Sequence, residues 1–309
     1  MCGIAGFLYR DPERSGPIGS TILGLLDVLG SRGTDGTGVA LYGAPDGRGM
    51  LLRVWLGETP HPEDRAVALT ERVRAVALLG RVEVRDDYAT IAVRPLHGEA
   101  ASQGAWIASL IDAAEAGGAG SVFSAGQALQ ITKAVGVAAP LGARYGLSAF
   151  EGSHGIGHTR LATESKVDVA HCHPFWARPY PDIAVVHNGQ ITNYRKQRRL
   201  MEMRGIRFAT GNDSEIIALY LAERLGRGET LEEALRASIA DLDGTFTYLV
   251  STAQGIGMAK DNFATKPLVV AECDEWVAIA SEERALSAVF DGPLTTYQPG
   301  AGEAMVWMR

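Results

Sequence analysis

The chain opens Met1-Cys2-Gly3-Ile4-Ala5-Gly6-Phe7, and the reading of this stretch decides the rest. Ile4 to Tyr9 is a short apolar run of strand type. The small residues behind the initiator permit removal of Met1, which leaves a thiol and an α-amino group together on Cys2. Their ordinary pKa values, ~8.5 and ~7.7–8.0, let the amine take the thiol's proton near neutral pH. Gly3 lets a substrate come close to the backbone. On position alone, an inert thiol near a terminus is the stronger reading of Cys2.

Composition sets the frame around that terminus. The 309 residues are 46% apolar and 21% charged, a globular balance that argues against disorder. Glycine, at 37 residues, is well above its usual ~7% share, so tight turns and close backbone approaches are expected. The net charge of −7 disfavours nucleic acid as a partner. No apolar run reaches the ~18 residues of a membrane helix. Three cysteines, Cys2, Cys172 and Cys273, none in a CxxC pair, give neither a disulfide framework nor a cysteine zinc site. With no signal-peptide pattern, a reducing cytoplasm is expected.

Further along, Gly24 to Leu29 has helical spacing, and Arg32 to Gly38 is turn-rich. Val39–Tyr42 and Met50–Trp55 read as a hairpin around Pro45-Asp46-Gly47. Glu63 to Ala77 reads as helix, Thr90 to Val93 as strand and Gly117 to Gly120 as loop. Between about His61 and Tyr145 no catalytic pattern stands out. The C-terminal half is clearer. Gly155–Arg160 and Ile183–His187 read as strands, then Asn193–Arg204, Ser214–Leu225 and Leu231–Leu242 as helices. Four short strands follow, at Phe246–Ser251, Gly255–Lys260, Pro267–Ala271 and Val277–Ala280. Helices set against antiparallel-type strands imply stacked layers.

Several residues are fit for chemistry, and each has a plainer reading. Arg160, at a strand end, offers a fork for a carboxylate, though a surface salt bridge is the commoner use. Asn188-Gly189 offers two N–H donors to a developing oxyanion, yet Asn-Gly is usually a hairpin turn. Asp213 precedes an apolar-periodic helix as an N-cap type, and a carboxylate there also suits a substrate ammonium. His171 and His173 have no second ligand cluster near them in sequence, so metal is disfavoured.

In order, six blocks resemble the class II glutamine amidotransferases: Met-Cys-Gly-Ile-Ala-Gly-Phe from residue 1, Arg-Gly-Thr-Asp from 32, His-Thr-Arg-Leu-Ala-Thr from 158, His-Pro-Phe from 173, His-Asn-Gly-Gln-Ile-Thr-Asn-Tyr from 187 and Asn-Asp-Ser-Glu from 212. The resemblance covers about residues 1–55 and 152–290. It implies an α+β N-terminal-nucleophile hydrolase fold, a four-layer α/β/β/α sandwich, and glutaminase chemistry. It makes Cys2 the nucleophile and its amine the base. Arg160 would hold the α-carboxylate of glutamine, and Thr163 and His173 would line its pocket. Asn188 and Gly189 would form the oxyanion pair, with Gly189 and Asp213 on the α-ammonium. Arg32 and Asp35 fall in a loop that usually reads Arg-Gly-Pro-Asp; Thr34 in place of proline makes it less rigid.

The same resemblance bounds the organisation. Residues 2–309 are expected to form one amidotransferase domain, with an insertion at about 61–148 that is either a docking surface or a surface elaboration. Nothing after about residue 290 is long enough for a synthetase or isomerase domain, so the acceptor reaction is expected on another polypeptide. The pattern resembles the stand-alone subunit of glutamate synthase-like and N-methylglutamate synthase systems, whose separate acceptor subunit is flavin- and iron–sulfur-linked. No cofactor is expected in this chain, which lacks four cysteines for a cluster and a GxGxxG unit. Two other readings stand: a free-standing amidase on another amide, and a non-catalytic glutamine sensor.

Overall fold

The expected N-terminal strand is Gly3–Tyr9, buried along its whole length in a computed structural model that describes residues 2–45, 47, 49–96, 102–118, 120–162 and 166–309. It lies antiparallel between Trp276–Ala280 and His154–Arg160, with Gly3 opposite Thr159. Gly36–Tyr42 and Leu129–Ala134 extend one side of this sheet, and Val269–Glu272 and Thr296–Tyr297 the other. A second antiparallel sheet runs in the order Ala304–Met308, Gly255–Lys260, Gly244–Thr252, Ala184–Ile191 and Phe175–Trp176.

Period-two alternation explains how the layers meet. In His154–Arg160 the glycines turn to one side: a Cβ on Gly157 would sit 2.7 Å from Leu26 and 2.9 Å from Ile22, and one on Gly155 would already touch Ile22 at 3.6 Å. Their absence lets the helix Ile18–Val28 press onto the sheet. Ile22, Leu25 and Leu26 are completely buried there, each stabilising by roughly 2 kcal/mol. The other side carries His154 and His158, which cross to the second sheet: His154 Nε2 meets the Thr252 carbonyl at 2.8 Å, and His158 reaches Asn188. The helices Ser214–Gly226 and Leu231–Asp241 cover the far face of the second sheet with a separate apolar cluster. Helix, sheet, sheet and helix are thus stacked as the α/β/β/α sandwich.

A further layer is built by a four-stranded sheet, Ala77–Arg85, Tyr88–Pro95, Met50–Trp55 and Ser121–Gly126, with the helices Pro62–Val73 and Gln103–Glu115 packed on it. This corrects the expected hairpin. Gly36–Tyr42 and Met50–Trp55 are both strands, but they do not pair: the first joins Leu129–Ala134 and His154–Arg160, the second Tyr88–Pro95 and Ser121–Gly126. Of the turn signal expected between them, Asp46 lies outside the described residues. The expected helix over 63–77 stops at Val73, and Ala77 already begins a strand. Asn188-Gly189 is likewise no turn; it lies inside the strand Ala184–Ile191.

Candidate active site

Cys2 sits just before the first strand, held through its own carbonyl. Arg32 Nε donates to that oxygen at 2.9 Å and Asn188 Nδ2 at 3.1 Å. Arg32 is itself anchored to Glu282 at 2.6 Å, and this guanidinium is the main reason the Glu282 carboxyl stays below its usual range. The Cys2 sulfur receives the Leu161 N–H at 3.3 Å. Gly3 is needed for packing, since a Cβ there would lie 2.7 Å from Thr159 Oγ1 and 2.9 Å from Leu29.

The 160–162 segment that presents this N–H is fixed by Asp35. Its backbone N–H donates to the Arg160 carbonyl at 2.9 Å, and its carboxylate accepts from Ala162 N–H at 2.8 Å. Asp35 therefore touches the loop beside Cys2 and lies off the cavity wall. Thr163 falls outside the described residues.

A cavity of about 720 Å³ opens over Cys2 and is walled by Arg32, Arg160, His173, Asn188, Gly189 and Asp213. The strand Ala184–Ile191 sorts its residues by side. Asn188 faces the first sheet, where its Oδ1 accepts from His158 Nε2 at 3.1 Å. Gly189 has φ +137°, and a Cβ on it would lie 1.9 Å from the Thr245 carbonyl, so glycine is required. His187 faces the helix side, where its Nδ1 lies 2.8 Å from Ser214 Oγ. His173 Nε2 reaches the same hydroxyl at 2.9 Å. Burial holds His158, His173 and His187 below the ordinary imidazole range, with His158 down to about 3, so all three are neutral at pH 7. The second ring nitrogen of each is buried without a partner among the described residues.

Asp213 occupies the N-cap position of Ser214–Gly226 but makes no side-chain cap bond. Asn212 Oδ1 instead accepts from Ser214 N–H at 2.9 Å. The Asp213 carboxylate turns to the strand and accepts from Ile191 N–H at 2.8 Å, which corrects its reading as a cap. Arg160, only 3% exposed, donates from Nη1 to the Lys166 carbonyl at 2.9 Å. Cation and carboxylate thus line the same cavity as the thiol, a polarity matched to an α-amino acid. His171 turns to Asp168 and not to His173, and no cluster of metal-ligand type occurs among the described residues.

Lys266 and Pro267 line the cavity from outside every motif block. Tyr194 closes one block without standing out in it, and Leu161, within another, contributes a backbone N–H that any residue type would supply. Ser214 was visible within Asn-Asp-Ser-Glu, but not as a bridge between two histidines.

Comparison with known proteins agrees with this layout. Residues 158–288 match the family model of a glutamine amidotransferase domain. A chain described as "Putative glutamine amidotransferase" from Methanothermobacter thermautotrophicus is 40% identical over 299 residues, covering 94% of each protein. The glutamine amidotransferase-like protein GlxB of Rhizobium meliloti is 35% identical over 287 residues, 93% of this chain and 91% of that one. Among solved structures, the glutamine phosphoribosylpyrophosphate amidotransferase from B. subtilis superposes with a TM-score of 0.61 at 17% identity, covering 98% of this chain and 46% of that one. The likeness shows the fold, and the chain spans under half of that protein. The chain belongs to the class II glutamine amidotransferases, enzymes that draw amide nitrogen from glutamine for an acceptor. No helix among the described residues is long and apolar enough to cross a membrane.

Proposed function

We propose that residues 2–309 act as one glutamine-hydrolysing unit, with about 61–148 as an addition to it, and that Cys2 is its nucleophile. The observation that carries this reading is the meeting of Cys2, Arg160, Asn188 and Asp213 on one cavity wall. Arg160 takes the α-carboxylate of glutamine, and Asp213 with the Gly189 carbonyl side takes the α-ammonium. The γ-amide carbon is then held beside sulfur, which lowers the entropic barrier to attack. With Met1 removed, the α-amine accepts the thiol proton, and the thiolate forms a C–S bond to the amide carbon. Asn188 Nδ2 and the Gly189 N–H carry the oxyanion. The C–N bond breaks as the α-ammonium returns its proton to the leaving ammonia, and water hydrolyses the thioester to glutamate. His173 shapes the pocket wall as a neutral ring, and Arg32 holds the Cys2 carbonyl still.

The ammonia acceptor belongs to a separate synthase subunit of glutamate synthase-like or N-methylglutamate synthase type, flavin- and iron–sulfur-containing, in the cytoplasm. Support is the sequence pattern and the near full-length match to relatives described only as amidotransferases.

The test is twofold. Intact mass of natively expressed protein should match the chain without Met1. A glutamine-mimicking diazo-ketone should then add one label, on Cys2, and Cys2→Ala should abolish both labelling and glutamine hydrolysis. Label on another residue, or none even with the co-purified partner present, overturns the reading.

A further inference from the structure

A second cavity, of about 390 Å³, is lined by the strand Ser121–Gly126 of the added sheet and by the 207–210 loop. Its walls combine four aromatic rings, Phe123, Phe175, Trp176 and Phe208, with charged side chains. Its one deeply buried cation is Lys133, 4% exposed. The Lys133 ammonium donates to the Ala170 carbonyl at 3.2 Å and the Cys172 carbonyl at 2.9 Å. It stands 4.3 Å from the Phe123 ring centre and 5.0 Å from that of Phe175.

The carboxylates around this cavity are already engaged. Glu115 makes a two-pronged pair with Arg178, at 3.1 and 3.0 Å. Asp112 faces Arg207 at 3.5 Å. Glu215, 2% exposed, accepts from Ala209 N–H at 2.6 Å and from Thr210 N–H and Oγ1, each at 2.8 Å. Lys133 has no carboxylate partner among the described residues. An ammonium has three donors, and two are used on carbonyls. Burial without a counter-ion is costly for the charged form, which agrees with its pKa falling to about 8.

We propose that this cavity is a second binding site, for a small carboxylate with an aromatic or branched apolar body, and that its occupant modulates the glutamine cavity. The head group supplies the missing counter-charge at Lys133, and the body fills the aromatic walls. The volume suits a compact molecule. Coupling has a physical path: the carbonyls that hold Lys133 belong to 170–172, directly before His173. Glu215 follows Ser214, whose hydroxyl joins His173 and His187. A ligand that draws on the Lys133 ammonium thereby biases a segment shared by both cavities. The coupling rests on the glutamine reading above; the binding does not.

Phenylacetate is the probe, titrated calorimetrically into the full-length protein. Saturable one-to-one binding is expected, with benzylamine and benzyl alcohol at least tenfold weaker. Lys133→Met should weaken phenylacetate at least tenfold and Lys133→Arg restore much of it. Phe208→Ala, on the rim, should weaken it several-fold and serves if the Lys133 variants do not fold. Cys2→Ala should bind phenylacetate as the parent does. Saturating phenylacetate should change glutamine hydrolysis at least twofold. No saturable binding, or binding indifferent to Phe208→Ala and to the Lys133 variants, overturns the site. Loss of phenylacetate binding in Cys2→Ala would place the acid in the first cavity and also overturn it. Binding with unaltered hydrolysis overturns the coupling alone. Absence of hydrolysis in the partner-bound parent protein counts against the glutamine reading instead, leaving the binding result to stand on its own.

Discussion

The Asn188 side chain is gripped at both ends, by His158 at Oδ1 and by the Cys2 carbonyl at Nδ2. A primary amide can turn over and exchange its donor and acceptor ends, so something must choose. His158 does, because burial keeps it neutral and its Nε2 lies within 3.2 Å of two oxygens, the His187 carbonyl and Asn188 Oδ1. That nitrogen carries the hydrogen, and the Asn188 NH₂ is left facing Cys2. Removing this donor in Asn188→Ala is expected to lower kcat for glutamine hydrolysis about 10²–10³-fold while KM moves little. Arg160→Leu should do the reverse and raise KM for glutamine, because on the proposed reading it removes a group that holds substrate in ground and transition states alike. Steady-state kinetics of the two variants separate the roles. An unchanged KM in Arg160→Leu would favour an amidase acting on some other amide. At this scale the cavity lining was legible where a chemically distinctive side chain stood in a block, as Arg160, Asn188 and Asp213 do. It was illegible where the backbone acts, as at Leu161, and where a residue such as Lys266 stands without a pattern around it.

Among elements, the turn between Ser121–Gly126 and Leu129–Ala134, strands of two different sheets, is tied to the body by one carboxylate. Asp182 accepts from Gln127 N–H at 2.8 Å, Ala128 N–H at 3.1 Å and Leu129 N–H at 3.0 Å. The three donors belong to the turn that joins the added sheet to the seven-stranded one, and Asp182 is buried. Asp182→Ala would leave those N–H groups without their acceptor, at about 1–3 kcal/mol for each one that stays buried. An overall loss of about 3 kcal/mol is expected, read as a lower urea midpoint, with faster amide exchange at 127–129. Unaltered exchange there would show that the turn holds itself. The sequence could not reveal this tie, since Asp182 lies more than fifty residues from the turn and sits in no motif. The same reason defeats the expected pairing of Val39–Tyr42 with Met50–Trp55. Alternation establishes that both are strands, whereas partners are chosen by long-range packing. Helices fared better because their signals are local: Leu231–Asp241 is started by a capping box between Thr230 and Glu233, and its apolar period lies within its own span.

The whole molecule carries one acid-sensitive layer. His154, His158, His173 and His187 are all buried at or near the meeting of the two large sheets, and burial is the first cause that lowers each pKa, to about 3 for His154 and His158. In the unfolded chain each imidazole titrates near ~6.5. Between that value and the depressed folded value the unfolded state binds more protons, so stability rises with pH and is lost as pH falls. The loss begins near pH 6.5 and grows at up to about 1.4 kcal/mol per histidine per pH unit. Nearer pH 4 the protonation of Asp168 and Glu282, whose pKa values are also lowered in the fold, pulls in the same direction. Several such groups together are enough to exhaust a total of 5–15 kcal/mol before pH 3. Tm is therefore expected to be flat from pH 8 to 7 and to fall steadily from 6.5 to 4.5. His154 isolates the effect, because it bonds Ser153 and Thr252 away from the cavity wall. His154→Gln should lower Tm at pH 7.5 yet flatten its slope below pH 6.5. A parent protein whose Tm does not change between pH 7 and 5 would mean that water reaches these rings in the folded state, and that the inter-sheet layer is not the dry, neutral seam on which the orientation of Asn188 depends.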